Sequence, residues 1–215
     1  MPAPVASILD YDCGNLRSLE RAFVRVGAQV RMIERAEDVA TAGHLVLPGV
    51  GAYGQAMDRL SRRGYAEAVS EHAAAGKPLL GICLGMQLLF DESEEFGPHK
   101  GLGLVPGRVR MFDKDRAADH GVRIPHIGWT AMLPGPTRSW ADTILADVRP
   151  DDHFYFVHSF HGRPADPNCV LAEVDYNGER ICAAVYRDNV IGFQFHPEKS
   201  ADAGLAILSR FVGLR

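Results

Sequence analysis

The chain has 215 residues, 47% of them hydrophobic and 23% charged, with a formal net charge of -4 at pH 7. These are ordinary globular values, and the length is enough to bury a sizeable core. The acidic balance excludes a basic nucleic-acid-binding surface and any electrostatic pull toward an anionic membrane, and no apolar run approaches the roughly 18 residues of a spanning helix.

In chain order, 5–9 reads as a first strand, followed by a loop over 10–15. A helix comes next, with Leu16, Leu19, Phe23 and Val26 at helical spacing, and Gly27 stops it. Strands are expected over 29–33 and 44–47, the second ended by Pro48-Gly49-Val50-Gly51. Helices over 53–63 and 65–75 lead to a short apolar strand over 78–82. From Leu84 to Phe90 the apolar residues again fall at helical spacing, interrupted by Gln87. This β-α-β-α alternation predicts an α/β fold: a doubly wound, mainly parallel central sheet flanked by helices. In such sheets the ligand crevice lies beyond the carboxyl ends of the strands. The second half reads as strands over 102–112, 123–132, 152–159, 169–175, 181–186 and 190–195, closed by a helix over 203–212. Turn signals at Leu133-Pro134-Gly135-Pro136, Asn177-Gly178 and Asp188-Asn189 separate these strands, so additional antiparallel strands are expected in the C-terminal half. The charged, alanine-rich stretch 113–121 reads as an exposed loop.

The N-terminus, MPAPVASILDYD, has no basic n-region and is not read as a secretory signal. Cys13, Cys83, Cys169 and Cys182 show neither C-x-x-C nor disulfide-framework spacing. One domain over 1–215, cytoplasmic and with reduced thiols, is therefore expected.

The chemistry concentrates at Gly81-Ile82-Cys83-Leu84-Gly85. A G-x-C-x-G between a strand and a helix is a nucleophile elbow with sulfur in place of a serine oxygen. The sharp turn forces the central side chain outward, and the helix start presents N–H groups and the positive dipole end to it. A cysteine nucleophile needs a base and a group to orient that base. Phe193-Gln194-Phe195-His196-Pro197-Glu198-Lys199 supplies both: in an extended segment His196 and Glu198 share a face, with Pro197 fixing the bend. No histidine pair has metal-ligand spacing, and no metal is expected.

The stretches G-I-C-L-G-M-Q and F-Q-F-H-P-E-K together resemble the class I, triad-type glutamine amidotransferases. G-N-L-R-S at 14–18, P-G-V-G at 48–51, P-H-I-G-W at 125–129 and Y-F-V-H-S at 155–159 narrow the resemblance to one branch, the glutaminase subunits that serve a synthase of histidine biosynthesis. It runs from about Leu9 to the closing helix. Three departures stand out: Thr130 occupies a position where Asn is expected, Phe160 one where Tyr is commoner, and Asp12-Cys13 replaces a small-residue pair.

The resemblance implies that Cys83 attacks the carboxamide of L-glutamine, that His196 moves the proton, and that Glu198 orients His196, giving glutamate and ammonia. The oxyanion donors are expected from the backbone N–H of Leu84 and from the Val50-Gly51 peptide, where glycine permits a peptide flip. Gln87, one helical turn beyond Cys83, contacts the substrate head group. Glu95 pairs with its ammonium, although the run Asp91-Glu92-Ser93-Glu94-Glu95 otherwise reads as a solvated helix end. Backbone groups of Ser159 and Phe160 complete the substrate contacts, and no cofactor is implied. Ammonia is mostly protonated in neutral water and needs a dry route to a second site, which this chain lacks. The implied partner is a (β/α)8-barrel synthase subunit, forming a heterodimer through the loops around Asn15, Pro48 to Gly51, Pro125, His126, Gly128, Trp129, Tyr155 and Lys199. Rival readings are a glutaminase subunit of pyridoxal phosphate or anthranilate synthesis, and a catalytically silent binding protein on the same fold. Cys169, Cys182, His126 and His158 read as packing or structural residues, and Cys13 as a loop thiol without a base.

Overall fold

Strands buried on both faces read as near-continuous apolar runs, and the central strands of the first half come close to that by sending adjacent residues to opposite cores, while the edge strand keeps Gln29 and Arg31. The computed structural model describes residues 3–113, 123–176 and 178–214. Five parallel strands lie side by side in the order β2 (Gln29–Ile33), β1 (Val5–Leu9), β3 (His44–Leu47), β4 (Leu79–Ile82) and β14 (Val190–Phe193). In β3 and β4, Val46, Leu80 and Ile82 face one core with Ala6 and Ile8. That core is covered by α1 (Leu16–Arg25) and the closing helix α5 (Ala201–Val212), through Leu19, Phe23, Leu208 and Phe211. Leu45, Leu47 and Leu79 face the other core, under α2 (Tyr53–Arg62) and α3 (Tyr65–Ala74), which contribute Tyr53, Leu60 and Val69. The sheet is thus wound on both faces, as the alternation predicts.

The same sheet continues as antiparallel strands: β13 (Glu179–Arg187) on β14, then β12 (Val170–Tyr176), then the two-residue β9 (Leu133–Pro134). Tyr176 pairs with Glu179 across the expected hairpin, although Asn177 itself lies outside the described residues, as does 114–121 of the loop expected over 113–121. Two smaller sheets pack outside. One is an antiparallel ribbon of β8 (His126–Ala131) and β10 (His153–His158). The other joins β11 (Phe160–Pro164), β7 (Val105–Met111), β5 (Phe90–Ser93) and β6 (His99–Lys100). No helix among the described residues is long and apolar enough to cross a membrane.

The structure departs from the sequence expectation in several places. The helix expected from Leu84 to Phe90 is a five-residue α4, Leu84–Leu88, after which Phe90 enters β5. Backbone N–H groups of Leu102, Leu104 and Val105 donate to the carbonyls of Leu88 and Leu89 at 2.8–2.9 Å. Those carbonyls are unavailable to a further helical turn, so tertiary pairing overrides local periodicity. The strands β5, β6 and β11 escape a pattern search, and Leu133-Pro134 pairs with β12 instead of only turning.

The elbow after β4 depends on missing side chains. A Cβ added at Gly85 would lie 1.9 Å from the Leu47 carbonyl oxygen, and one at Gly81 would lie 2.6 Å from the Gly85 oxygen. The start of α4 is therefore pressed directly onto the ends of β3 and β4. Gly85→Ala is expected to cost at least about 3 kcal/mol in chemical denaturation, an overpacking loss without room to relax. Gly43→Ala, where an added Cβ meets nothing within 4 Å, is expected to stay within about 0.5 kcal/mol of wild type.

Candidate active site

Cys83 caps α4 with φ 55° and ψ -110°, a left-handed backbone that only a constrained turn imposes on a residue with a side chain. Such strain costs on the order of 1–3 kcal/mol and is held here by the bond from the Cys83 N–H to the Phe193 carbonyl, 2.7 Å. That bond extends the β4–β14 pairing by one residue and brings residue 83 beside the segment that carries His196.

His196 and Glu198 do not lie in one extended segment. Pro197–Lys199 forms a single 3-10 turn, with Pro197 at its start and His196 extended before it. The turn still closes the pair, because Nδ1 of His196 meets Oε1 of Glu198 at 2.8 Å. Both side chains are almost completely buried. The backbone of His196 is tied to β10: its N–H donates to the Tyr155 carbonyl at 2.9 Å, Ser200 Oγ donates to its carbonyl at 2.6 Å, and the Tyr155 N–H donates to Ser200 Oγ at 3.0 Å. Burial works against the imidazolium, but hydrogen bonds to Cys83 on one side and Glu198 on the other outweigh it and push the His196 pKa up to about 9. At neutral pH the Cys83 sulfur therefore faces a positive charge.

A cleft of about 430 Å³ opens over this group, a volume suited to one small polar molecule. Cys83, His196 and Leu84 line it together with Val50 and Gly51. Gln87, Glu95, Ser159 and Phe160 line it as well, so every residue expected to meet substrate or oxyanion faces one cavity. Glu198 stands behind His196. Glu95 is not on a solvated helix end: it follows β5, and its Oε2 accepts the Tyr53 N–H at the start of α2, 2.6 Å away. Gln87 commits both amide hydrogens inside the protein, to the Phe160 carbonyl at 2.9 Å and to Gln194 Oε1 at 3.0 Å.

Two residues at the site were missed in the sequence. Gln194 is fully buried and directs Nε2 at the Cys83 sulfur, 3.9 Å away. Its signal was present, an amide between two phenylalanines in an apolar strand. Tyr11 is fully buried and donates its hydroxyl to the Pro48 carbonyl at 2.6 Å, anchoring the Pro48–Gly51 turn. Burial first of all holds that phenol well above its ordinary range, so it stays a donor. His158, read from the sequence as structural, lines the cleft.

The residues expected at a docking face divide in two. Trp129 and Ile127 are 53% and 59% exposed, with Val50 at 45%. Trp129 meets Tyr155 edge-on at 5.9 Å, and Lys199 Nζ lies over the Tyr155 ring at 5.5 Å. Asn15, Pro125 and Lys199 are exposed, and Gly128 is half-buried. The His126 side chain differs: it is buried and turned inward against His158.

A cysteine elbow at the end of a parallel strand, with a histidine–glutamate pair delivered by the neighbouring strand, defines a thiol amidohydrolase built on a doubly wound sheet. The family model for class-I glutamine amidotransferases matches residues 7–213, and the chain belongs to that family. Within it the chain groups with imidazole glycerol phosphate synthase subunits HisH. It is 46% identical over 208 residues to the one from Syntrophotalea carbinolica, with 95% of this chain and 97% of that protein covered. To a Legionella pneumophila HisH 1 it is 42% identical over 212 residues, covering 96% and 97%. The chloroplastic synthase hisHF of Arabidopsis thaliana is 44% identical over 210 residues, which are 97% of this chain but 34% of that longer protein. Among solved structures, PurLQS from Thermotoga maritima superposes with a TM-score of 0.71 at 21% identity, covering 98% of each chain, a likeness of fold.

The folded His196 pKa lies above the ordinary value of about 6.5, so the protonated ring stabilises the fold. That contribution is complete below about pH 6.5 and disappears as pH rises through about 9. Wild type is expected to lose its stability advantage over His196→Gln across that window in urea denaturation. The His196 Cε1 proton is expected to titrate near 9 by NMR, and at lower pH in Cys83→Ala, where one of its two partners is gone.

Proposed function

We propose that the chain is a glutaminase subunit that hydrolyses L-glutamine through Cys83, His196 and Glu198 and passes the ammonia to a synthase subunit. The observation that carries this reading is the His196 ring, hydrogen-bonded to the Cys83 sulfur and to Glu198 at the floor of a cleft sized for one amino acid.

The sulfur of Cys83 attacks the side-chain carboxamide carbon of glutamine. Charge develops on the oxygen, and the Leu84 N–H, as the residue after the nucleophile, is a donor for it. The Val50–Gly51 peptide is the second donor, and the φ of 100° at Gly51 is one that glycine tolerates without cost. His196 gives its proton to the departing nitrogen, which leaves as ammonia and a thioester on Cys83. The neutral ring then takes a proton from water, whose oxygen displaces the sulfur to release glutamate. Glu198 keeps the ring aimed through both half-reactions. Glu95 answers the substrate ammonium and the backbone of Ser159 and Phe160 frames it. Gln87, with its hydrogens committed, offers its oxygen.

The names of the relatives favour histidine biosynthesis over the pyridoxal phosphate and anthranilate alternatives. The partner is then a (β/α)8-barrel synthase subunit that uses the ammonia to form imidazole glycerol phosphate and an aminoimidazole carboxamide ribotide. In Arabidopsis thaliana the hisHF protein is nearly three times as long as the matched region, which supports such a partnership. The docking face comprises Asn15, Pro125, Gly128, Trp129, Tyr155 and Lys199, with His126 contributing through its strand instead of its side chain. The single domain over 1–215 operates in the cytoplasm, with no cofactor, metal, nucleic acid or membrane in its task.

In a glutaminase assay with the barrel subunit, Cys83→Ala is expected to abolish turnover, and Glu198→Gln to lower kcat by about 10²- to 10⁴-fold. Retained activity in Cys83→Ala would remove the mechanism. Trp129→Ala is expected to weaken binding to the barrel by about 2 kcal/mol in calorimetry, as for a buried aromatic anchor.

A further inference from the structure

The ribbon of β8 and β10 has two faces, as strand alternation requires. Ile127, Trp129, Tyr155 and Val157 point outward along it, while His126, Phe154, Phe156 and His158 are buried beneath. His126 and His158 stand directly opposite each other in the register. On this buried side the polar atoms form one continuous chain. His126 Nε2 meets Thr130 Oγ1 at 3.0 Å, and His126 Nδ1 meets His158 Nε2 at 3.1 Å. His158 Nδ1 meets the Phe160 carbonyl at 2.9 Å, which also takes a hydrogen from Gln87 Nε2 at 2.9 Å. From Gln87 the chain passes to Gln194 and on to the Cys83 sulfur.

A carbonyl only accepts, and that fact sets the direction of every bond. His158 must carry its hydrogen on Nδ1 to reach Phe160, leaving Nε2 to accept from His126 Nδ1. His126 Nε2 is then bare and takes the Thr130 hydroxyl hydrogen. On the other branch Gln87 must turn its nitrogen to Phe160, so it meets the oxygen of Gln194, and the Gln194 nitrogen is left facing the sulfur. Burial, with no carboxylate at hand, pulls His126 down to about 4 and His158, pressed further by the charges of His126, His161 and His196, down to about 3. Both rings are neutral at physiological pH, so each has one hydrogen to place. Thr130 departs from the expected Asn yet keeps a donor in position for His126.

We propose that His126 and His158 are positioning residues of the glutaminase site, a one-way relay that fixes the Phe160 carbonyl and, through it, Gln87 and Gln194 around the nucleophile. The relay runs on the underside of the ribbon whose outer face carries Trp129 and Tyr155. The proposal rests on the glutaminase reading for its kinetic consequence, but its geometry needs no substrate.

The test has two arms on the full chain. In the ¹⁵N spectrum at neutral pH, His158 and His126 are each expected to show a protonated Nδ1 and a bare Nε2. A protonated Nε2 on His158 would overturn the relay whatever the substrate. In the complex with the barrel, His158→Phe is expected to raise KM for glutamine about tenfold while kcat falls less than about threefold. His158→Asn, whose amide nitrogen occupies the Nδ1 position, is expected to bring KM back to within about threefold of wild type. Thr130→Val removes only the distant donor and covers the case of a folding loss at 158, with KM expected to rise about threefold. Unchanged KM in both His158→Phe and Thr130→Val, or no recovery with Asn, would overturn the relay. A wild-type complex that turns over no glutamine would instead sink the functional reading, and the tautomers would still decide the relay.

Discussion

Parallel pairing of β4 with β14 is the contact on which the site depends. It aligns Gly81 with Gly192 and Ile82 with Phe193, and the Cys83 N–H to Phe193 carbonyl bond is the last rung of that ladder. The two strands lie far apart along the chain, residues 83 and 196 being 113 positions apart. Past the rung the strands separate: one turns sharply into α4, and the other bends through Gln194 and Phe195 into a 3-10 turn. Both side chains consequently meet over the carboxyl edge of the sheet, where a doubly wound topology leaves a crevice. A Cβ at Gly192 would lie 2.7 Å from the Met86 side chain, so α4 also packs closely on β14.

Environment, not residue type, assigns the histidines their parts. His196 and His158 both line the cleft and both are buried. His196 has a carboxylate on one nitrogen and a sulfur on the other, and holds its proton to about pH 9. His158 has a carbonyl and a second neutral ring, and is kept deprotonated. In the proposed mechanism one ring therefore moves protons, and the other only points. The divergence follows from which neighbours can share a charge in a medium that solvates charge poorly.

The central sheet, with β14 from late in the chain, builds the floor of the site, and the two smaller sheets build its walls. The ribbon of β8 and β10 shows an apolar outer face beside the cleft mouth, where Ile127 and Trp129 stay more than half exposed although Trp129 meets Tyr155 edge-on. The outer sheet of β5, β6, β7 and β11 brings Glu95 and Phe160 to the substrate side. The outer sheet attaches through the Leu88 and Leu89 carbonyls that a longer α4 would have consumed, and the ribbon through the Tyr155 backbone to His196 and Ser200.

Much of this was legible along the chain. The parallel core was readable because strands buried on two faces carry unbroken apolar runs at lengths helices do not use. The elbow at Cys83 was readable because it needs glycines at fixed offsets, and Gly81 and Gly85 prove to be places where any side chain would strike backbone. His196 and Glu198 were readable as a pair, although through a 3-10 turn and not an extended face. Strands β5, β6 and β11 were not, because their hydrogen-bond partners lie far off in sequence and their side chains do not alternate clearly. Nor were Tyr11, Gln194 and the His126–His158 relay. Each acts by where one hydrogen points, and that is set by an acceptor on another segment, which only the assembled tertiary structure brings within reach.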